Sequence, residues 1–266
     1  MAELIFTLLG TGSSGGVPRI GGLWGDCDPS EPKNRRRRCS MLVERVTESG
    51  TTTVLIDTSP DMRQQLLDAN VTNLDAVLYT HGHADHVHGI DDLRPIVFAR
   101  KERMQVWADM PTQERLLSGF GYAFVQPDGS PYPSILELNT IDGDVVIDGA
   151  GGAITFQPFR VGHGSIDALG FRIAGLAYLP DVAEIYDDAW SALENLDIWI
   201  VDALRRDPHP THAHLARTLE WIEKVAPRQA VLTNMHIDLD YATVAAETPD
   251  HVQPAYDGLQ LTLPDG

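Results

Sequence analysis

The chain is poor in cysteine and in positive charge, and both shortages narrow the classes of protein to consider. Its 266 residues include two cysteines, Cys27 and Cys39, which is too few for a disulfide framework. Lysine and arginine together number 20 against 38 aspartate and glutamate residues, so the formal net charge is −18. A chain this acidic neutralises few phosphates over an extended surface. We therefore expect reduced thiols and no long nucleic acid as partner.

Long apolar runs are also missing. No run approaches the roughly 20 residues that span a bilayer, and the segment Met1–Phe6 lacks the basic start and cleavage site of a secretory leader. We expect a cytoplasmic protein without a membrane partner, and a homodimer remains open. Repeats, low-complexity segments and linker-like shifts in composition are absent from the sequence. Since 43% of the residues are apolar, the chain can bury a large core, and we predict a single domain over residues 1–266.

Two conspicuous local patterns are weak evidence for function. The glycine-rich segment Gly10–Pro18 matches the spacing of a dinucleotide-binding loop and of a nucleophile elbow, but both motifs need a helix to begin at once. Pro18, Gly21 and Gly22 prevent such a helix, so we predict a loop. The basic run Arg35–Arg38 has two interpretations, a solvated loop or a rim that steers a phosphate.

The chain contains both strand and helix patterns, and its length suits one large α/β domain or two small ones. Helices are predicted after the cap Ser59-Pro60-Asp61, over residues 93–100 and 112–124, and from a Thr211 cap to Ala226. Apolar, β-branched runs predict strands over residues 4–9, 40–46, 52–56, 76–80, 105–108, 154–161, 175–179, 197–202 and 229–233.

The densest chemistry lies directly after the predicted strand 76–80. Four potential ligands fall within six residues, namely His81, His83, Asp85 and His86. Imidazole nitrogens and carboxylate oxygens together suit zinc, manganese or iron, and a mixed set with open positions is typical of catalytic metal sites. The pattern therefore predicts a metal centre at the end of this strand.

Later strand ends carry further candidates. His163 follows strand 154–161 as an exposed histidine between two glycines, and Asp181 follows strand 175–179; either one alone is weak evidence. His212 is predicted at the positive end of the helix that Thr211 caps, where an anion binds well and where an imidazole can transfer a proton near neutral pH. His209 and His214 are weaker candidates than His212.

The motif His81-x-His83-x-Asp85-His86 resembles the signature of the metallo-β-lactamase-fold hydrolases. Within that superfamily the chain looks most like the phosphoribosyl 1,2-cyclic phosphate phosphodiesterases, the PhnP-like branch, and more distantly like transfer RNA 3′-processing endonucleases. Four stretches carry the narrower resemblance in addition to His212: Gly10–Pro18, residues 34–40, residues 57–65 and residues 81–94. The resemblance implies an α/β, four-layer αββα sandwich with a centre of two divalent ions, zinc or manganese.

The same resemblance assigns roles to individual residues. It implies a first metal site of His81, His83 and His163, a second of Asp85, His86 and His236, and Asp181 as the bridging ligand. Asp57 supports the ligands from a strand end, Asp85 and His212 are catalytic, and His212 and Arg94 contact substrate. The last ligand is uncertain, because relatives carry a histidine where this chain has Asn234, and His236 lies two residues further on. A cysteine-bound structural zinc site of the family is expected to be absent, since only Cys27 remains in its loop and Ile237 stands where its histidine would be.

The implied activity is hydrolysis of a small, cyclic or nucleotide-like phosphodiester by a metal-bridged hydroxide, with a small phosphate ester as the partner. Three alternatives stay open at this point. They are an RNA endonuclease of the transfer RNA processing type, a thioester or lactone hydrolase, and a metal or cofactor carrier without catalysis.

Overall fold

The computed structural model describes residues 2–265, which divide into two compact units. The first unit contains the residues up to Thr7, Ser40–Thr155 and the residues from Gln260 onward. The second contains Leu8–Cys39 and Phe156–Leu259. The two compact units do not show whether the chain is one domain or two, so the single domain stays a prediction.

The chain contains both strands and helices, as the sequence patterns predicted. The six α-helices of the described residues are α1 Met62–Asp68, α2 Ala84–Val87, α3 Arg94–Arg100, α4 Met110–Phe124, α5 Leu215–Val225 and α6 Tyr241–Glu247. The strands are β1 Ala2–Gly10, β2 Ser40–Thr47, β3 Gly50–Ile56, β4 Ala76–Leu78, β5 Met104–Ala108, β6 Leu136–Thr140, β7 Val145–Ile147, β8 Ile154–His163, β9 Ile166–Ile173, β10 Leu176–Leu179, β11 Glu184–Ile185, β12 Ile198–Asp202, β13 Gln229–Thr233, β14 Val252–Pro254 and β15 Leu259–Asp265.

The sheet of the first unit is mixed, with the strand order β15-β1-β2-β3-β4-β5-β6. Strands β2 and β3 form a hairpin, since they pair antiparallel with Met41 opposite Ile56. From β3 to β6 the strands run parallel. Parallel strands end at the same edge of a sheet, and their carboxyl ends are where α/β proteins build sites. Asp57 follows β3 at this edge, and the segment that leads to His81 follows β4.

The sheet of the second unit has the strand path β11-β8-β9-β10-β12-β13-β14. Strands β8, β9 and β10 are antiparallel, whereas β10, β12, β13 and β14 run parallel. Three polar residues therefore share the carboxyl edge of neighbouring strands: Asp181 just after β10, Asp202 at the end of β12, and Asn234 just after β13.

The parallel strands are buried on both faces, as their continuous apolar sequences require. Ala76–Leu78 and Ile200–Val201 have no exposed surface, and Trp199 is among the largest fully buried side chains. The side chains of Cys27 and Cys39 are buried, and the reduced state of their thiols stays a prediction. Among residues 2–265, no helix combines the length and apolar character needed to cross a bilayer.

Two sequence predictions about local structure are wrong. The chain does not enter a helix at Thr211, because α5 begins at Leu215 with His214 at its N-cap. Residues before it are instead held in extended form, with the Ala213 N–H donating to the Val182 carbonyl. The second error concerns His163, which belongs to β8 and is buried rather than exposed. By contrast, the helix predicted after Ser59-Pro60-Asp61 is present as α1, and the Asp61 N–H donates to the Ser59 hydroxyl at 3.1 Å.

The basic run is also different from either sequence interpretation. Arg36 is buried, and its guanidinium donates to Asn34 Oδ1 at 3.2 Å. Arg37 forms an ion pair with Asp257, with 3.0 Å between Nε and Oδ2. At least two of the four charges therefore hold the second unit together, where the sequence suggested a solvated loop or a phosphate-steering rim.

The Asp257 ion pair predicts a measurable pH dependence of stability. Burial raises the pKa of the Asp257 carboxyl to about 6, although hydrogen bonds from Arg37 act to lower it. An unfolded aspartate titrates near pKa ~3.9, so this contribution to stability is present below about pH 4 and is lost as pH rises through about 6. We expect the unfolding free energy of Asp257→Asn, measured relative to the parent by urea denaturation, to rise by about 2 kcal/mol between about pH 4.5 and 7.5.

Asp240→Asn is the matched control for this measurement. Burial raises the pKa of the Asp240 carboxyl, but hydrogen bonds from Thr243 and the Asp28 N–H outweigh it and hold the pKa at about 2. Its contribution is present above the unfolded pKa and is lost only as pH falls through about 2. The Asp240→Asn difference should therefore stay flat between about pH 4.5 and 7.5, and a flat difference for Asp257→Asn would contradict the prediction.

Candidate metal centre

The predicted metal ligands fall into two groups, one on each compact unit. In the first unit, His81 follows the buried pair Tyr79-Thr80 beyond β4, and His83 lies at the N-cap of the short helix α2. Asp85 and His86 lie on α2 itself. The side chains of His81 and His83 meet, with 3.0 Å between His81 Nε2 and His83 Nδ1.

Asp57 organises this first group from the end of β3. The residue has φ of 63°, a left-handed conformation that a residue other than glycine rarely adopts. Its Oδ1 accepts the Thr80 N–H at 2.8 Å, and its Oδ2 accepts the Thr80 hydroxyl at 2.8 Å and His86 Nδ1 at 2.7 Å. Burial raises the pKa of the Asp57 carboxyl, and the facing His86 ring acts in the opposite direction. These contacts suit the supporting role that was predicted for Asp57.

The hydrogen bonds of the first group fix which nitrogen of each ring is available. His86 donates from Nδ1 to Asp57, and His81 Nδ1 lies 3.0 Å from the Thr80 hydroxyl oxygen. A neutral imidazole that donates from Nδ1 presents a lone pair at Nε2. His86 Nε2 lies 3.5 Å from a carboxylate oxygen of Asp85.

The second unit repeats this arrangement with different residues. His163 ends β8, and its Nδ1 donates to the Thr211 carbonyl at 2.6 Å, so its lone pair is also at Nε2. That nitrogen lies 3.4 Å from Asp181 Oδ2. Both side chains are nearly fully buried, at 2% and 3% exposure. Gly164 permits the tight turn after His163, because its φ is 70° and an added Cβ would lie 2.3 Å from the Thr211 side chain.

Both pairs have the geometry expected of metal ligands. A lone-pair nitrogen and a carboxylate oxygen repel each other in a buried site unless a cation lies between them. A protonated histidine would bring these atoms to about 2.7–2.9 Å, whereas the observed separations are 3.5 and 3.4 Å. Two ligands at about 2.1 Å from one tetrahedral zinc lie about 3.4 Å apart. The donor set therefore fits a divalent cation.

Asp202 is a site residue that sequence reasoning missed. It is fully buried at the end of β12, and its Oδ2 accepts His212 Nδ1 at 2.8 Å and the Val182 N–H at 3.1 Å. Burial raises the pKa of the Asp202 carboxyl to about 6, while the His212 ring lowers it. Asp57, Asp181 and Asp202 each stand where a buried strand ends, and this shared position is the signal that could have found Asp202.

The partly buried ring of His212 lies close to two other histidine rings. Its centroid is 4.6 Å from that of His163 and 5.3 Å from that of His209. Burial lowers the pKa of His209, and His212 adds to this effect. His214 is the N-cap residue of α5 and makes no side-chain capping bond. Asp202, not a helix end, orients His212.

The structure does not bring His236 to Asp181. Its Nδ1 lies 3.0 Å from Asp238 Oδ1, and its Nε2 contacts the Arg19 guanidinium. Asn234 lies there instead, buried with φ of 59°, and its amide donates to Asp181 Oδ1 at 3.1 Å and to Asp202 Oδ1 at 3.2 Å. The ligand role of His236 stays a prediction.

The other predicted substrate residue, Arg94, begins α3 in the first unit. It is paired with Asp91, with 2.6 Å between the guanidinium and Oδ1. The Cys27 Sγ atom lies 3.8 Å from the Arg36 guanidinium, and the expected lack of a cysteine-bound zinc stays a prediction. Ile237 packs against Gly25 in the same region.

Comparison with known proteins adds independent information. Residues 52–237 match the family model of the β-lactamase superfamily domain. A solved diphosphatase from the PhnP family shares 35% identity over 98% of each chain, with a TM-score of 0.86. The two mixed sheets with their flanking helices match this structure, so the predicted fold class is confirmed.

Two curated relatives match over part of their length. An octanoyltransferase from Porphyromonas gingivalis is 33% identical over 261 residues, which is 96% of this chain and 51% of the relative. A ribonuclease Z from a Bradyrhizobium species is 33% identical over 156 residues, which is 56% of this chain and 48% of the relative. The chain thus spans about half the length of the curated relatives it matches.

Proposed function

Because the chain belongs to the β-lactamase superfamily and, within it, to the PhnP family, we propose that it is a metal-dependent hydrolase of small phosphodiesters. The observation that carries the proposal is the repeated pair of a histidine and an aspartate. In each pair the histidine Nδ1 donates a hydrogen bond, from His86 to Asp57 and from His163 to the Thr211 carbonyl. The Nε2 atom of each ring lies 3.4–3.5 Å from a carboxylate oxygen.

Each group contributes residues that would bind metal. In the first unit they are His81, His83, Asp85 and His86, and in the second unit they are His163 and Asp181. Two divalent ions, zinc or manganese, would lower the pKa of bound water and act as Lewis acids on phosphate oxygens. Because Asn234 presents an amide N–H to Asp181, we propose that the second ion binds more weakly than the first.

His212 and Asp202 supply the proton chemistry in this proposal. Asp202 accepts the Nδ1–H of His212, which leaves Nε2 of the protonated ring to donate a proton to the departing oxygen. Asp202 also holds the ring in one orientation, because its carboxylate is fixed by the Val182 N–H and the Asn234 amide. Asp202 is thus a positioning residue, and His212 is the residue that meets the substrate.

The surface charge favours a small substrate over an extended nucleic acid. The net charge is −18. In the basic run Arg35–Arg38, Arg36 is buried and Arg37 forms an ion pair with Asp257. Few phosphates could be neutralised along such a surface. A thioester expels a thiolate and would leave the proton donor His212 without an alkoxide to protonate, so we place thioester hydrolysis second.

A chelation experiment tests the proposed function. We expect the purified protein to hydrolyse bis-p-nitrophenyl phosphate, to lose that turnover by more than about 100-fold after dialysis against a chelator, and to regain it with manganese or zinc. Metal analysis of the same samples should show the ions leaving and returning. A panel of p-nitrophenyl carboxylic esters and a thioester serves as comparison. Turnover confined to that panel, or no turnover at all with metal bound, would refute the phosphodiester assignment.

A further inference from the structure

A cavity of about 460 Å³ lies in the first unit, beside α3 and the end of α4. This volume is in the range of pockets that hold small organic ligands. None of the metal ligands lines it, and neither the metal chemistry nor the proton transfer needs it. Arg94, which sequence analysis singled out for substrate contact, lies on its wall.

The lining has the composition of a stacking site. Phe98, Tyr122 and Tyr132 contribute aromatic rings that are 54%, 47% and 69% exposed, and Pro127 and Pro133 add flat aliphatic rings. Among the described residues that line the cavity, no branched aliphatic side chain occurs. Exposed aromatic faces bind planar rings by stacking, and an acyl chain is met more often by leucine, isoleucine and valine.

The rim of the cavity is held in place by a shared carboxylate. Asp91 Oδ1 accepts the Arg94 guanidinium at 2.6 Å and the Tyr122 hydroxyl at 3.0 Å. Both donors are thereby positioned before a ligand arrives, which reduces the entropy lost on binding. The Arg94 guanidinium is paired with Asp91 but has further N–H donors at the mouth of an apolar cavity, and this combination suits a planar ligand that carries phosphate oxygens.

The cavity is linked by chain and by contact to the segment that carries the metal ligands. The backbone of α4 leaves the helical conformation at Phe120, and the ring of Phe120 packs on His88 at 5.8 Å between centroids. Arg94 follows His86 by eight residues, most of them in helical turns.

We infer that the cavity binds the nucleobase of a nucleotide substrate. The inference rests on the proposed function and narrows its substrate class. A base stacked between the tyrosines would place its phosphate toward Arg94, on the chain segment that continues from the metal ligands.

Substitution of Tyr132 tests this assignment, because its ring is largely exposed and its removal leaves the core intact. ADP-ribose and bis-p-nitrophenyl phosphate are compared as substrates with and without a base. For Tyr132→Ala we expect kcat/KM for ADP-ribose, divided by kcat/KM for bis-p-nitrophenyl phosphate, to be about 10-fold lower than in the parent. Tyr132→Phe, which keeps the ring, should retain the parent ratio. Leu117→Ala, an exposed change on α4 outside the cavity, should leave both kcat/KM values unchanged.

Binding of ADP to the chelated protein gives a readout that is independent of turnover. By calorimetry, Tyr132→Ala should weaken ADP binding about 10-fold while Tyr132→Phe and Leu117→Ala do not. The inference would be overturned if the parent and the three variants bound ADP equally, or if ADP-ribose were not turned over. It would also be overturned if octanoate binding depended on Tyr132 and ADP binding did not. Failure of the proposed function looks different, because bis-p-nitrophenyl phosphate would then not be hydrolysed by any of these proteins.

Discussion

Replacing His163 with alanine is expected to lower the metal content of the protein and to reduce phosphodiester turnover by more than about 100-fold. The reason lies in the hydrogen bonds of this ring. The Thr211 carbonyl holds Nδ1 at 2.6 Å, so Nε2 is aimed at Asp181 as a preformed ligand. Without this nitrogen the buried Asp181 carboxylate loses the neighbour with which it would share a cation.

Elemental analysis and turnover measured on the same preparations check this prediction. His251→Ala is the matched control, since His251 is exposed and lies in the turn before β14. It should keep full metal content and turnover. His163→Asn adds a second test, because the amide can still hydrogen-bond locally and keep the fold. If either His163 variant kept its metal and its activity, His163 would not be a ligand.

The orientation of the rings is what makes the ligand prediction testable at single residues. A change at Asp57 would act differently from a change at a ligand. Asp57 touches His86 and Thr80 through hydrogen bonds at 2.7–2.8 Å, so its loss would free the His86 ring to rotate. Outer-shell changes of this type typically cost about 10–100-fold in affinity.

Much of the fold could be predicted from sequence because its signals are local. Apolar β-branched runs such as Ala76–Leu78 and Ile198–Val201 identified buried strands, and the ligand-rich segment 81–86 followed one of them directly. His81 and His83 are one residue apart, and their ring nitrogens lie 3.0 Å apart. These properties depend on a few consecutive residues.

The rest depended on contacts between distant residues, which periodicity does not encode. Thr211 has good capping chemistry, but the Ala213 N–H bonds to Val182 and keeps that stretch extended. Arg36 occurs in a run that looks solvated, yet it is buried against Asn34. Asn234 approaches Asp181 because its backbone adopts φ of 59°. No local sequence pattern around Asn234 predicts that conformation.

Replacing His212 with alanine is expected to slow phosphodiester hydrolysis by about 10²–10⁴-fold while metal content stays at the parental level. The ring is 16% exposed and is fixed to Asp202 through Nδ1 at 2.8 Å, so its removal leaves the pairs of metal-directed side chains intact. Asp202→Asn should give a smaller loss of about 10–100-fold, because the ring remains but is no longer held in the same tautomer and orientation.

The identity of the leaving group separates the two roles available to His212. A proton donor matters most when the departing oxygen is a poor leaving group such as a ribose alkoxide, and least when it is p-nitrophenolate. The loss in His212→Ala should therefore be at least about 10-fold larger for a ribose phosphodiester than for bis-p-nitrophenyl phosphate. Equal losses on both esters would mean that His212 binds the phosphate instead of protonating the leaving oxygen. Unchanged turnover on both would remove His212 from the reaction, and the buried carboxylate of Asp202 would then serve only to hold a histidine in the fold.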